Sequence, residues 1–151
     1  PFDCFLIQRG IKTLGVRMDR AQENAIEIAK WLKEQDIVKK VVYPGFKEHP
    51  GYEIIKKQAR GFGAMLTFEL TKKEYAINIL EKVRMIKYAE SLGGVETLIT
   101  YPMTQTHADV PEHIRKQNGI TDRVLRMSVG IENVKDLLNE LEEVFAEVQG
   151  E

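Results

Sequence analysis

Apolar positions along the chain follow two rhythms, one helical and one extended. Met18, Ala21, Ala25, Ile28, Ala29 and Leu32 recur at helical spacing, with Glu23, Glu27, Lys30 and Lys33 on the other faces. Residues 1–35 therefore read as a long helix. Gly10 and Gly15 interrupt it. A glycine costs about 1 kcal/mol relative to alanine in a helix interior, so the pattern predicts a break or bend near Gly15. Segment 2–14 is then an arm whose Phe2, Phe5, Leu6, Ile7, Ile11 and Leu14 need a partner surface.

The extended rhythm begins at Ile37–Tyr43, a β-branched run closed by Pro44-Gly45. Pro50-Gly51 opens a short helix through about Ala59. Phe62, Ala64, Leu66, Phe68 and Leu70 then alternate with Gly63, Met65, Thr67 and Glu69, which predicts a strand. Thr71, with Glu74 three residues on, has the form of a capping box for a helix reaching about Val83. Val95–Tyr101 reads as a strand, 103–110 as irregular, and Pro111–Gln117 as a short helix stopped by Asn118-Gly119. Val124–Val129 is a strand. Asn133 caps a last helix with an apolar stripe of Val134, Leu137, Leu138, Leu141, Val144, Phe145 and Val148. The expected fold is a two-layer α+β domain over 36–151. It has about four mainly antiparallel strands, helices on one face, and the long bent helix in front. A parallel doubly wound sheet is the alternative.

Composition narrows the function. With 22 basic and 23 acidic side chains among 151 residues, the net charge of −1 supplies no field to draw the chain onto nucleic acid or an anionic membrane. A single cysteine, Cys4, allows no internal disulfide and fits a reducing, cytoplasmic setting. No apolar run approaches the roughly 20 residues that span a bilayer. The chain starts at Pro1 rather than Met, as expected of a processed protein or a piece of a longer one.

Four places carry candidate chemistry. In Val124-Leu125-Arg126-Met127-Ser128-Val129, strand alternation puts Leu125, Met127 and Val129 on one face, and Arg126 and Ser128 on the other. A stiffly held guanidinium presents a fork that matches a carboxylate or phosphate. It can equally snorkel or pair with a nearby acid. Glu90-Ser91-Leu92-Gly93-Gly94-Val95-Glu96 holds a double glycine that lets backbone approach a ligand closely, or simply makes a tight turn. His107 borders the irregular segment, but His49, His107, His113 and Cys4 share no metal-ligand spacing, so no metal is expected. Arg60-Gly61-Phe62-Gly63-Ala64-Met65-Leu66-Thr67-Phe68 looks like an RNA-recognition signature. It fails where bases would stack, because Ala64 and Thr67 stand at the aromatic positions and Phe68 is one step out of register.

Taken in order, several stretches resemble the C-terminal domain of pyridoxal-phosphate-dependent enzymes of Cys/Met metabolism, of the cystathionine γ-synthase and γ-lyase type. They are Arg9-Gly10-Ile11-Lys12-Thr13-Leu14 with Arg17-Met18, Asn24-Ala25, Tyr43-Pro44-Gly45 with His49-Pro50, and Gly61–Met65. They continue through Glu90–Glu96, Thr106-His107, Gly119-Ile120 and Leu125–Glu132. The resemblance implies γ-replacement or γ-elimination on a four-carbon amino acid, in transsulfuration. It implies that Arg126 grips the substrate α-carboxylate, that Ser91 lies near cofactor and substrate, that Glu90 lies near the distal end of the substrate, and that Thr106 lines the pocket. It further implies pyridoxal phosphate and a homo-oligomer in the intact enzyme. The Ser-x-Thr-Lys segment carrying the Schiff-base lysine in such enzymes is absent from this chain, as is the rest of an N-terminal cofactor domain. No residue here is therefore assigned a catalytic role. The parent is expected to be an enzyme, and the chain alone inactive. A stand-alone binding or oligomerisation domain that kept the fold is the alternative. Gly93-Gly94-Val95-Glu96 leans toward the cystathionine enzymes without choosing synthase or lyase.

Overall fold

The computed structural model describes residues 1–150, and the sheet within it grows outward from the strand with the clearest alternation. In β2 (Met65–Leu70), Leu66, Phe68 and Leu70 are buried while Met65, Thr67 and Glu69 face the other way. Strand β1 (Val38–Val42) pairs with it antiparallel, as does β5 (Val124–Ser128) on its other side. Beyond β5 lies antiparallel β4 (Leu98–Thr100), and at the edge β3 (Lys87–Tyr88), which runs parallel to β4. The order β1-β2-β5-β4-β3 makes a five-stranded mixed sheet. The α+β class stands, and the expectation of about four, mainly antiparallel strands is corrected by β3. Two exposed residues offer no alternation to read. Their pairing is supplied by tertiary contact through Lys87 N–H to Thr97 O (3.0 Å) and Ala89 N–H to Ile99 O (3.1 Å).

Three helices cover one face of this sheet. They are α2 (Leu14–Lys33), α4 (Lys73–Lys82) and α6 (Val134–Gly150). Ala25, Ile28 and Leu32 of the first, Ala76 and Ile79 of the second, and Leu137, Leu141, Phe145 and Val148 of the third join Leu66, Phe68, Leu125, Met127 and Ile99 in a single core. Trp31 and Phe145 meet edge to face, their centroids 5.0 Å apart. Asn133 caps α6 as expected, its side-chain oxygen accepting Lys135 N–H at 3.0 Å. Helices α1 (Phe2–Ile11), α3 (Tyr52–Gln58) and α5 (Glu112–Gln117) bury no residue.

Two local expectations change. The helical stretch breaks at Lys12-Thr13, and Gly15 lies inside α2. Thr13 leaves the helical region at φ −110°, ψ 4°, and the Gly10 carbonyl accepts its N–H at 3.4 Å. A β-branched residue gives up helix more readily than its neighbours. The capping box does not form either. The residue before α4 is Lys72, with no side-chain cap, because Thr71 is still tied to the sheet through its N–H to Ile37 O at 2.8 Å.

A buried polar knot joins the layers. Asn24 on α2 donates to Gly130 O (3.0 Å) and Glu132 O (2.8 Å) just past β5. Thr97 donates its N–H (2.5 Å) and hydroxyl (2.8 Å) to the Glu132 carboxylate, and its oxygen accepts Gly130 N–H (2.9 Å). The chain passes so closely here that a Cβ at Gly130 would collide with the carbonyl oxygen of Val95. Residues 95–97 are thereby fixed against the end of β5.

Candidate functional site

The face of the sheet away from the helices carries the site. Cross-strand register sets Val42, Thr67, Arg126 and Thr100 in one row across β1, β2, β5 and β4. A second row holds Met65, Ser128 and Leu98. Arg126 is half-buried, between the fully buried Leu125 and Met127. Its strand is anchored beside it, where Thr100 Oγ1 donates to Arg126 O at 3.2 Å.

A cavity of about 340 Å³ opens over this row. Arg126, Thr67, Glu69 and Lys40 form its polar floor, and Pro102, His107 and Asn118–Ile120 form its wall. Gly119, at φ +71°, turns the chain after α5 into that wall. The electrostatics of the floor are uneven. Glu69 is satisfied by Lys39 at 3.1 Å and Arg123 at 2.9 Å. Among the described residues, none pairs with the Arg126 guanidinium by hydrogen bond or salt bridge. A partly desolvated cation without a counterion favours an anionic guest.

The other residues singled out in the sequence do not line this cavity. Glu90 and Ser91 are exposed on the loop between β3 and β4. Thr106 is exposed too, its hydroxyl 2.8 Å from Nδ1 of His107, and only His107 reaches the wall. The loop nevertheless returns to the same sheet face. Gly93, at φ +75°, donates its N–H to Ser128 Oγ at 3.3 Å, two residues along β5 from Arg126. A second cavity, of about 240 Å³, lies beside it between Arg17, Met18, Leu92, Gly93 and Ser128.

Several further groups have structural roles. His49 Nδ1 accepts Gly51 N–H (3.0 Å) in the turn before α3. Tyr43, buried, donates its hydroxyl to Gly63 O at 2.9 Å, and burial pushes its phenol from 10.0 up to about 12. Burial likewise raises the Tyr101 phenol, with Asp122 adding to the effect, and its hydroxyl donates to Asp122 O at 2.9 Å. Within the RNA-like stretch, Phe68 lies wholly in the core and Phe62 stacks on Tyr52 at 5.0 Å. Among the described residues, no three His, Cys, Asp or Glu side chains converge as a metal site would require. No described helix is long and apolar enough to cross a membrane.

The walls around Arg126 suit one end of an amino acid rather than a whole pyridoxal phosphate. No Phe, Tyr or Trp lines the cavity to stack on a pyridine ring, and its single lysine, Lys40, stands on β1 beside the Glu69 ion pairs. The residue missed in the sequence is Thr67, an outward position of β2 that only the register with β5 puts beside Arg126 in the cavity.

The chain is 47% identical over 145 residues to cystathionine beta-lyase of Lactococcus lactis subsp. cremoris, covering 96% of this chain and 38% of that protein. It is 45% identical over 146 residues to cystathionine gamma-lyase of Dictyostelium discoideum, again over 96% of this chain and 38% of the relative. The chain thus spans little more than a third of the curated relatives it matches. Cystathionine gamma synthase of Xanthomonas oryzae pv. oryzae, solved with aminoacrylate and cysteine, superposes with a TM-score of 0.94 at 41% identity. That match covers 99% of this chain and 39% of the solved one. Cystathionine gamma-lyase of Lactobacillus plantarum, solved with L-serine, gives 0.92 at 44% identity, with the same coverage. The relatives thus include a β-lyase beside γ-lyase and γ-synthase enzymes. Residues 1–146 match the family described as Cys/Met metabolism PLP-dependent enzyme, and the chain belongs to that family.

Proposed function

We propose that this chain is the substrate-carboxylate-binding domain of a pyridoxal-phosphate-dependent enzyme of cystathionine metabolism. The parent would carry out γ-replacement or γ-elimination on a four-carbon amino acid. Arg126 supports this reading: it is half-buried on a stiff central strand, has no acidic partner among the described residues, and faces a cavity about 340 Å³ in volume. A guanidinium so held can take the α-carboxylate through two parallel N–H···O bonds. The hydroxyl of Thr67 and the backbone of the 118–120 wall are at hand for the rest of the amino acid. Glu90, Ser91 and Thr106 would act at the rim, where the remainder of the longer chain closes over the sheet. Pyridoxal phosphate, supplied by that remainder, would serve as the electron sink. This domain's contribution is orientation: a fixed carboxylate leaves the substrate one less way to rotate.

In the full-length enzyme, Arg126→Ala is expected to raise KM for the amino acid tenfold to a hundredfold. A hydrogen-bonded charge pair contributes about 1.5–3 kcal/mol. Arg126→Lys should fall between, because an ammonium keeps the charge and loses the fork. Steady-state kinetics on the three proteins provide the check, and wild-type KM in Arg126→Ala would refute the reading.

A further inference from the structure

Arg17 occupies an odd place for a cation. It lies in the first turn of α2, where the helix dipole is positive and no acidic residue offsets it. Among the described residues it makes no ion pair. Its guanidinium turns back on three neutral oxygens instead. Nη2 donates to Gly10 O at 3.1 Å and Nε to Thr13 Oγ1 at 3.3 Å. Nη1 reaches across 76 residues of sequence to Gly93 O at 3.4 Å. Gly10 supplies one of the last carbonyls of α1, which also accepts the Lys12 and Thr13 N–H groups, and basic side chains commonly meet carbonyls at helix C-termini.

The Gly93 contact matters for the site. This residue holds φ +75°, a conformation that L side chains rarely adopt. It is gripped from both sides, its N–H by Ser128 Oγ (3.3 Å) and its carbonyl by Arg17. Ser128 shares a strand face with Arg126, so the two bonds register the Glu90–Gly94 loop against the carboxylate-binding row. The other loop residues gain little of their own: Glu90, Ser91 and Leu92 are exposed.

We propose that Arg17 is a positioning residue for the substrate-binding loop, holding Gly93 jointly with Ser128 and tying that loop to the end of α1. The inference rests on the substrate-binding reading given above for Arg126 and Ser91. Freed of Arg17, the loop keeps its Ser128 tether and its anchored ends at Ala89 and Val95, and Ser91 between them is held less closely relative to Arg126. Substrate binding weakens more than turnover, because Arg17 touches no reacting atom.

The test uses the full-length enzyme with Arg17→Gln and Arg17→Lys, alongside Arg126→Ala. Amide hydrogen exchange across residues 90–94 and steady-state kinetics are the readouts. Arg17→Gln is expected to speed exchange in 90–94, leave β2 and β5 protected, and raise KM roughly tenfold with kcat changed less than about twofold. Arg17→Lys should restore part of both, since one ammonium can still reach Gly93 O. Wild-type exchange and KM in a folded Arg17→Gln enzyme would overturn the proposal. Should that variant fail to fold, Arg17→Lys decides in the same way, with wild-type exchange and KM overturning it. If Arg126→Ala raises KM and the Arg17 variants do not, positioning alone falls. If Arg126→Ala leaves KM unchanged, the substrate-binding reading falls, and loop exchange still decides whether Arg17 holds Gly93.

Discussion

Arg126 was legible from six residues of sequence because strand alternation is a strict rule. With Leu125 and Met127 committed to the core, Arg126 had only one face left. What alternation could not supply was its surroundings. Thr67 and Thr100 stand beside it through pairing with strands 59 and 26 residues away in the chain. Glu69, the acid lining the same cavity, is occupied by Lys39 and Arg123. That pairing separates a waiting guanidinium from a neutralised one, and only the fold settles it. Glu90, Ser91 and Thr106 owe their assignment to family resemblance, and their exposure leaves their roles to a surface that other parts of a longer chain would complete. Tyr43 gives a prediction at the same scale. Its phenol is pushed up to about 12 by burial, above the unfolded value near 10. Between those two values the unfolded chain loses its proton while the folded one keeps it. Stability is therefore full below about pH 10 and falls as pH rises through about 12, by on the order of 2 kcal/mol. Tyr43→Phe removes that fall, which denaturant melts from pH 9 to roughly 12 would read. An equal loss in Tyr43→Phe would assign the alkaline sensitivity elsewhere.

At the level of elements, long periodic segments announced themselves and short ones did not. The stripes of α2 and α6 and the alternation of β2 carry enough repeats to name their buried faces. Strand β3 has two residues, each paired eleven positions on, so its identity lies in the edge of β4 rather than in itself. Thr71-x-x-Glu74 carried a true local signal that tertiary pairing overrode. Helix α1 is the reverse case. It forms with no buried residue, leaving Phe2, Phe5, Ile7 and Ile11 between 54% and 71% exposed. Apolar surface of this kind marks an interaction face. Because α1 contributes nothing to the core, Phe5→Ser with Ile11→Ser should leave the unfolding free energy of the 151-residue chain within about 0.5 kcal/mol. The same pair should reduce binding of a hydrophobic-surface dye. A loss of several kcal/mol would mean that α1 packs on the domain in solution.

For the whole molecule, the division of labour follows from what the chain contains. One core supports a mixed sheet whose face away from α2, α4 and α6 presents an arginine unpaired among the described residues, a cavity and a loop held at Gly93. The relatives are more than twice as long, and the chain belongs to their family over nearly its full length. On the function proposed above, this face would be one half of a site, with the cofactor lysine carried by another part of a longer chain. The sharpest test removes each partner of the proposed contact in turn. Binding of a four-carbon amino acid and of its amine analogue lacking the carboxylate is measured in the full-length enzyme, wild type and Arg126→Ala. Deleting the carboxylate should weaken wild-type binding by about 1.5–3 kcal/mol and Arg126→Ala binding hardly at all. An equal penalty in both proteins would show that the carboxylate is held by something other than Arg126.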